Sequence, residues 1–165
     1  IAEIFHAIKK ITPLIELVIT TISDDETVTR YLPKTLESDK ENVHVLNLAP
    51  TEIMEVVSFS DVGICLRADS ESMKHVAPLK LREYLLAGLP VIYTDNTGDN
   101  FSLPSSFAHV FAPSSEVRIS SLIAWWEREV IINSSLNRVR ARQFALKHLE
   151  IQVDSRQLLK FLKTI

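Results

Sequence analysis

DVGICLRADSESMKHVAPLKLREYLLAGLPVIYTDNTGD, residues Asp61 to Asp99, decides how the rest of this chain is read. Asp61–Leu66 is a short apolar run of strand length, and Pro90–Thr94 is a second, rich in β-branched and aromatic residues. Between them Leu81, Tyr84, Leu85 and Gly88 recur at i, i+3, i+4 and i+7, one face of a helix. Pro78 suits the first turn of that helix, and Gly88 with Pro90 marks its end. The stretch therefore reads as strand, polar loop, helix, strand and polar loop.

The start of the helix is the informative point. Lys74-His75-Val76-Ala77 precedes Pro78 with no Ser, Thr, Asp or Asn in the capping position, so the first-turn amides lack an obvious side-chain partner. Free N–H groups beside basic residues suit an anion, phosphate above all. Capping by water or by a loop carbonyl is the alternative.

Pro78-Leu79-Lys80-Leu81-Arg82-Glu83-Tyr84-Leu85-Leu86-Ala87-Gly88-Leu89-Pro90-Val91-Ile92 resembles the P-x-K-x-x-E-Y-L-x-x-G-x-P-V-I stretch of the nucleotide-sugar-binding, C-terminal half of GT-B glycosyltransferases, with the family-4 retaining type nearest. Ser60-Asp61-Val62-Gly63-Ile64 resembles the strand that precedes it there. The similarity runs from about Leu14 to Leu162, and its specific part is Asp61–Thr97. It implies a Rossmann-like α/β domain over residues 1–165, with a doubly wound, mostly parallel sheet and C-terminal helices over about 116–165. It also implies a UDP- or GDP-linked sugar as donor, a hexosyltransferase type of reaction, and a glycan or polysaccharide acceptor. Metal and separate cofactors are not called for, and the five histidines are scattered without ligand spacing.

The resemblance assigns roles residue by residue. Glu83 matches the glutamate that binds the ribose hydroxyls, and a carboxylate can accept from both hydroxyls of a vicinal diol. Its alternative is a surface ion pair with Lys80 at i, i+3. Lys80 matches the motif lysine and could meet a phosphate as a point charge. Val76, Ala77 and Leu79 are candidate diphosphate donors through their backbone amides; Pro78 has none. Leu48, in Asn47-Leu48-Ala49-Pro50, matches a segment that holds the base, although a plain strand-to-helix connection explains it equally well. Thr97 and Gly98, in Asp95-Asn96-Thr97-Gly98-Asp99, match a loop near the sugar, with a simple turn as the alternative. The family's fuller pattern has another glutamate eight residues before the one at Glu83, but here that position is His75, a candidate to contact a phosphate or a sugar hydroxyl with simple exposure as the alternative, and Glu71 lies four residues earlier.

A second departure concerns the start. The resembled half-domain opens with a strand, a Gly-rich turn and a basic residue, and this chain, with three glycines in all, has no counterpart. The strand would stand at the centre of the sheet. The expectation is therefore a fragment whose opening strand and acceptor domain belong to a longer protein, and which alone transfers nothing. Two other readings stay open: a non-catalytic nucleotide-sugar-binding module, and a GT-B-like nucleotide-sugar 2-epimerase.

Composition sets the frame for these expectations. One domain suits 165 residues, and 46% hydrophobic with 24% charged residues can build a core. A net charge of −3 argues against nucleic acid as partner. No apolar run reaches membrane-span length, so the expected location is cytoplasmic, at most peripheral to the inner face of a membrane through a part beyond this sequence. The single cysteine, Cys65, precludes an internal disulfide and reads as core filler. An exposed half-domain face would favour self-association.

The remaining elements follow from periodicity. Ile1, Ile4, Phe5, Ile8 and Ile11 predict an opening helix, Leu14–Ile19 a strand, and Ser23 to about Leu32 a helix. Lys34–Asn42 reads as a polar connection, Val43–Leu48 as a strand, and Thr51 as the cap of another helix. Ala108–Phe111 is a fifth strand. Ile119, Leu122, Ile123, Trp126 and Val130 form one helical stripe, with Trp125 at its edge. Asn133–Ser135 starts a helix whose arginines, Arg138, Arg140 and Arg142, suggest a solvated surface, and Asp154 or Ser155 starts a last one. Five apolar strands separated by helices predict one parallel sheet covered on both faces.

Overall fold

The computed structural model describes residues 1–21, 32, 34–67, 70–72, 76–95, 102–112 and 118–149. It is a mixed α/β structure. In order come α1 (Ala2–Lys9), β1 (Leu17–Thr21), a 3-10 segment (Lys34–Asn42), β2 (Val43–Asn47), α2 (Pro50–Phe59), β3 (Gly63–Cys65), α3 (Leu79–Leu86), β4 (Val91–Tyr93), β5 (Ala108–Val110), α4 (Arg118–Trp125), a π-helical segment (Trp126–Ile132) and α5 (Ser134–His148). The helices expected over Ser23–Leu32 and after Asp154 fall largely or wholly outside the described residues.

All five expected strands form, and every pairing among them is parallel, but they form two sheets rather than one. β1 pairs with β2 from Leu17 opposite Val43 to Thr21 opposite Asn47. β3, β4 and β5 align Gly63, Val91 and Ala108. The two sheets meet through side chains: Ile64 of β3 packs both into the cluster of Phe5, Leu17 and Leu36 and into that of Ile4, Ile8, Ile92 and Phe111.

Alternation along the strands explains the layers. Ile92 faces α1, α4 and the π segment, where Ile4, Ile8, Leu122, Trp125, Trp126 and Val130 bury it. Val91 and Tyr93 face the other way, onto Leu81 and Leu85 of α3 and Ala141 and Ala145 of α5. β1 begins three residues later than expected because Ile15 N–H donates to Thr12 O in a turn, which leaves Leu14 90% exposed. α2 starts at Pro50, ahead of the expected cap at Thr51, and Glu52 reaches back to accept the Ala49 amide at 2.7 Å.

Two glycines fit this packing for different reasons. Gly88, at φ +79°, ends α3. The Leu89 amide returns to Tyr84 O and the Gly88 amide to Leu85 O, the paired bonds of a Schellman cap. Gly63 lies under the ring of Tyr84, and a Cβ there would overlap the ring and Tyr84 Cβ. The E-Y-L segment is thus seated on β3 because position 63 carries no side chain.

The C-terminal helices correct two expectations. Both tryptophans are buried, not one: Trp125 Nε1 donates to Ser105 O at 2.8 Å and Trp126 Nε1 to Thr12 Oγ1 at 3.1 Å. The wider π turn shifts the helical phase after Trp125, so Glu129 joins Val130 inside. The arginines of α5 are not merely solvated. Arg138 donates to Ser60 O at 2.7 Å, just past α2, and Arg142 to Leu86 O at 2.8 Å at the end of α3, each holding the negative end of a helix.

His109 sets a pH dependence. It lies in β5 with its ring 5.5 Å from Trp125, and its buried Nε2 has no hydrogen-bond partner. Burial lowers the imidazole pKa below its ordinary value. The unfolded chain therefore binds a proton more readily, so stability is full above the ordinary imidazole range and falls as pH drops toward the depressed folded value. Thermal unfolding between about pH 7.5 and 5 is expected to show this slope in the wild type and a flatter one in His109→Phe.

Candidate functional site

Part of the expected site lies on the loop and helix that follow the carboxyl end of β3. β3 runs on to Leu66 and Arg67, and β4 to Thr94, a residue only 6% exposed. Thr94 bridges the two ends: its Oγ1 accepts the Arg67 amide at 2.9 Å and its amide donates to Cys65 O at 3.4 Å. Arg67 then turns its guanidinium onto the loop before α3. Nη1 donates to Val76 O at 2.7 Å and Nη2 to Ala77 O at 3.2 Å. One arginine fixes the approach to the helix, and Pro78, fully buried, completes it.

The helix start has no side-chain cap, with Pro78 in the capping position just ahead of the helix. Its amides are partly engaged. Leu79 N–H donates to Ala77 O at 3.0 Å, and Leu81 N–H bonds the Cys65 thiol. A loop carbonyl thus serves Leu79, the alternative noted above for this helix end. Burial pushes the Cys65 thiol up, against smaller opposing effects of Arg67 and the Leu81 amide. It is a protonated core residue and not a nucleophile. Burial likewise raises the phenols of Tyr84 and Tyr93.

Lys80 and Glu83 lie on the first turns of α3 and form the i, i+3 ion pair, Nζ to Oε2 at 2.8 Å, with both side chains well exposed. Such a pair is held by only about 0.5 kcal/mol, so either partner can leave it for a ligand at little cost. Val76 and Leu79 are exposed, at 47% and 66%. Leu48 follows β2, where its amide donates to Thr21 O at 3.2 Å, and it belongs to the other sheet. His75, Thr97 and Gly98 lie outside the described residues.

Val76 and Ala77 are therefore tied to Arg67 and, through it, to Thr94, and Leu79, Lys80 and Glu83 follow on the helix that this loop enters. Arg67 and Thr94 were missed by sequence reasoning. Their signal was a cation immediately after one buried strand and a hydroxyl at the end of the next, where ligands of parallel α/β folds gather. An open cavity of about 560 Å³ lies elsewhere, between α1 and α4, lined by Glu3, His6, Lys10, Thr35, Ile119 and Ile123 among others. Two of its polar groups serve structure: Arg118 binds Glu3 at 2.7 Å, and His6 joins Lys9 on Asp39. The Lys9 hydrogen bond holds the Asp39 carboxyl below the usual range against the opposing effect of burial, with smaller help from His6 and Ser38.

No helix among the described residues is long and apolar enough to cross a membrane. No protein-family model, curated protein or solved structure matches this chain.

Proposed function

We propose that the chain is the donor-binding part of a GT-B glycosyltransferase, holding a nucleoside-diphosphate sugar at the carboxyl ends of β3 and β4. On this reading the two sheets are parts of one doubly wound, Rossmann-like sheet, and the hexose acceptor binds to another part of the protein. The observation that carries the proposal is the placement of the P-x-K-x-x-E-Y-L segment. Its lysine and glutamate stand exposed at the start of α3, beside a loop shaped by Arg67 and Thr94.

The chemistry follows from these groups. Glu83 exchanges its weak pairing with Lys80 for the two ribose hydroxyls. Lys80, released, turns to the diphosphate. Sugar transfer leaves a nucleoside diphosphate with growing negative charge, and the Lys80 cation with nearby amides stabilises that charge as it develops. Arg67 acts as a positioning residue, because its guanidinium is already committed to two loop carbonyls.

Calorimetry with UDP, GDP and their sugars tests the reading on the wild type and on Glu83→Ala. One nucleotide should bind the wild type, with affinity about tenfold or more weaker in the variant, a loss in line with a charged hydrogen-bond partner. Glu83 lies on the surface, so the variant is expected to keep its melting temperature. Equal binding by both proteins, or none to the folded wild type, would sink the assignment.

A further inference from the structure

We propose that the outer face of α5 docks an acidic amphipathic helix of another protein, laid alongside α5. The inference rests on packing, spacing and charge, and is independent of the nucleotide reading.

A helix on a protein surface ordinarily buries its large apolar side chains and shows its polar ones. α5 does the reverse. It buries Asn137, Ala141 and Ala145 completely, and the two alanines pack with Leu81 and Leu85 of α3, where small side chains let the helices lie close. Its large aliphatic residues face outward: Leu136, Val139 and Leu146 are 49%, 52% and 43% exposed. Ile132, just ahead of α5, adds a further aliphatic side chain at 75%. The inner face is already satisfied by α3, so the outer row of aliphatic residues serves a second contact.

Spacing makes the occupant a helix. Leu136, Val139, Gln143 and Leu146 follow one another at three, four and three residues, the a and d positions of a heptad. Such a row is a narrow seam, one helix wide, whereas a helix lying in a lipid surface needs a broader apolar sector. Gln143 stands within the seam, where a facing helix can offer it a hydrogen-bond partner and hydrocarbon cannot.

Charge makes that helix acidic and foreign. In this register Arg140 and Lys147 fall at e and Arg142 at g, the positions that flank a facing helix. α5 carries no aspartate or glutamate anywhere between Ser134 and His148. Arg140 and Arg142 donate to Asn137 Oδ1 and Leu86 O, and no carboxylate among the described residues pairs with either of them or with Lys147. A second α5 would set cation against cation in both the parallel and the antiparallel orientation, so a second copy is rejected. Glutamates or aspartates at the partner's own flanks complement all three cations. A seam of about two heptads suits a transient complex rather than a permanent one.

Fluorescence anisotropy with two synthetic helical peptides tests this on the full chain. Both are about three heptads long with leucine at a and d; one carries glutamate at e and g, the other lysine. The glutamate peptide should bind at micromolar concentration, about tenfold or more tighter than the lysine peptide, and weaken as salt rises. Leu146→Ser should weaken the glutamate peptide about tenfold, and Lys147→Glu should narrow the preference between the two. Both side chains are exposed, so both variants are expected to keep the wild-type melting temperature; should either misfold, the two peptides on the wild type decide alone. Equal binding of the peptides, no binding, or binding unchanged by Leu146→Ser would overturn the proposal. So would a dimer of the chain that Leu146→Ser abolishes, which gives the face to a second copy. Capture by phosphatidylserine vesicles in preference to the glutamate peptide would give it to a membrane and equally overturn the proposal.

Discussion

Gly88→Val is expected to destabilise the protein by about 2–5 kcal/mol, from two costs that act together. The first is conformational. Gly88 stands at φ +79°, and a β-branched residue there meets its own carbonyl. The second is steric. A Cβ at this position would lie 3.1 Å from Arg138 O, on the backbone of α5, which cannot rotate aside as a side chain could. The Schellman cap and the contact between α3 and α5 would therefore be lost together. Urea unfolding followed by circular dichroism should show the midpoint fall with little change in slope. Gly88→Asn separates the two costs, because asparagine tolerates the left-handed region while still adding a Cβ. It should lose less than valine; equal losses would place the whole effect in the steric contact.

The second large effect is expected at Asn137, which is fully buried. Its Nδ2 donates to Glu129 O at 3.0 Å and to Glu129 Oε2 at 2.8 Å, and its Oδ1 accepts from Arg140 at 3.2 Å. Burial pushes the Glu129 carboxyl up, but Arg128 and Asn137 together outweigh it and hold the group below its ordinary range. Asn137→Ala leaves Glu129 inside with Arg128 as its main partner, at an expected cost of about 2–3 kcal/mol. Because the folded carboxyl is depressed, its contribution is present above the ordinary carboxylate range and is lost as pH falls through the folded value. The variant should therefore differ most from the wild type at neutral pH and converge with it in acid. A constant difference across pH would show that packing, not the carboxylate, carries the loss.

The parts of this fold that could be read in advance are those whose cause is local. Helix α3 was legible because its apolar spacing, Pro78 and Gly88 each act within a turn. The strands at Val91–Tyr93 and Gly63–Cys65 were legible because buried parallel strands are continuous apolar runs. What escaped has causes distant in sequence. Burial of Trp125 is fixed by Ser105, twenty residues away, and that of Glu129 depends on a π turn that no spacing rule contains. Arg138 and Arg142 looked solvated because their partners are carbonyls 56 to 80 residues earlier. Division of the strands into two sheets is a matter of long-range pairing, which periodicity does not address. In the candidate site, Lys80 and Glu83 came from the motif, whereas Arg67 and Thr94 became visible only when two strand ends met.

The seating of Tyr84 over Gly63 carries a consequence for descent. The two positions share one fixed volume, twenty-one residues apart in sequence, and neither can be enlarged alone. Lineages that lose the tyrosine are free to fill position 63, while those that keep it must retain glycine there. A set of relatives should therefore show these two positions drifting as a pair, with the intermediate of two bulky side chains missing from the record.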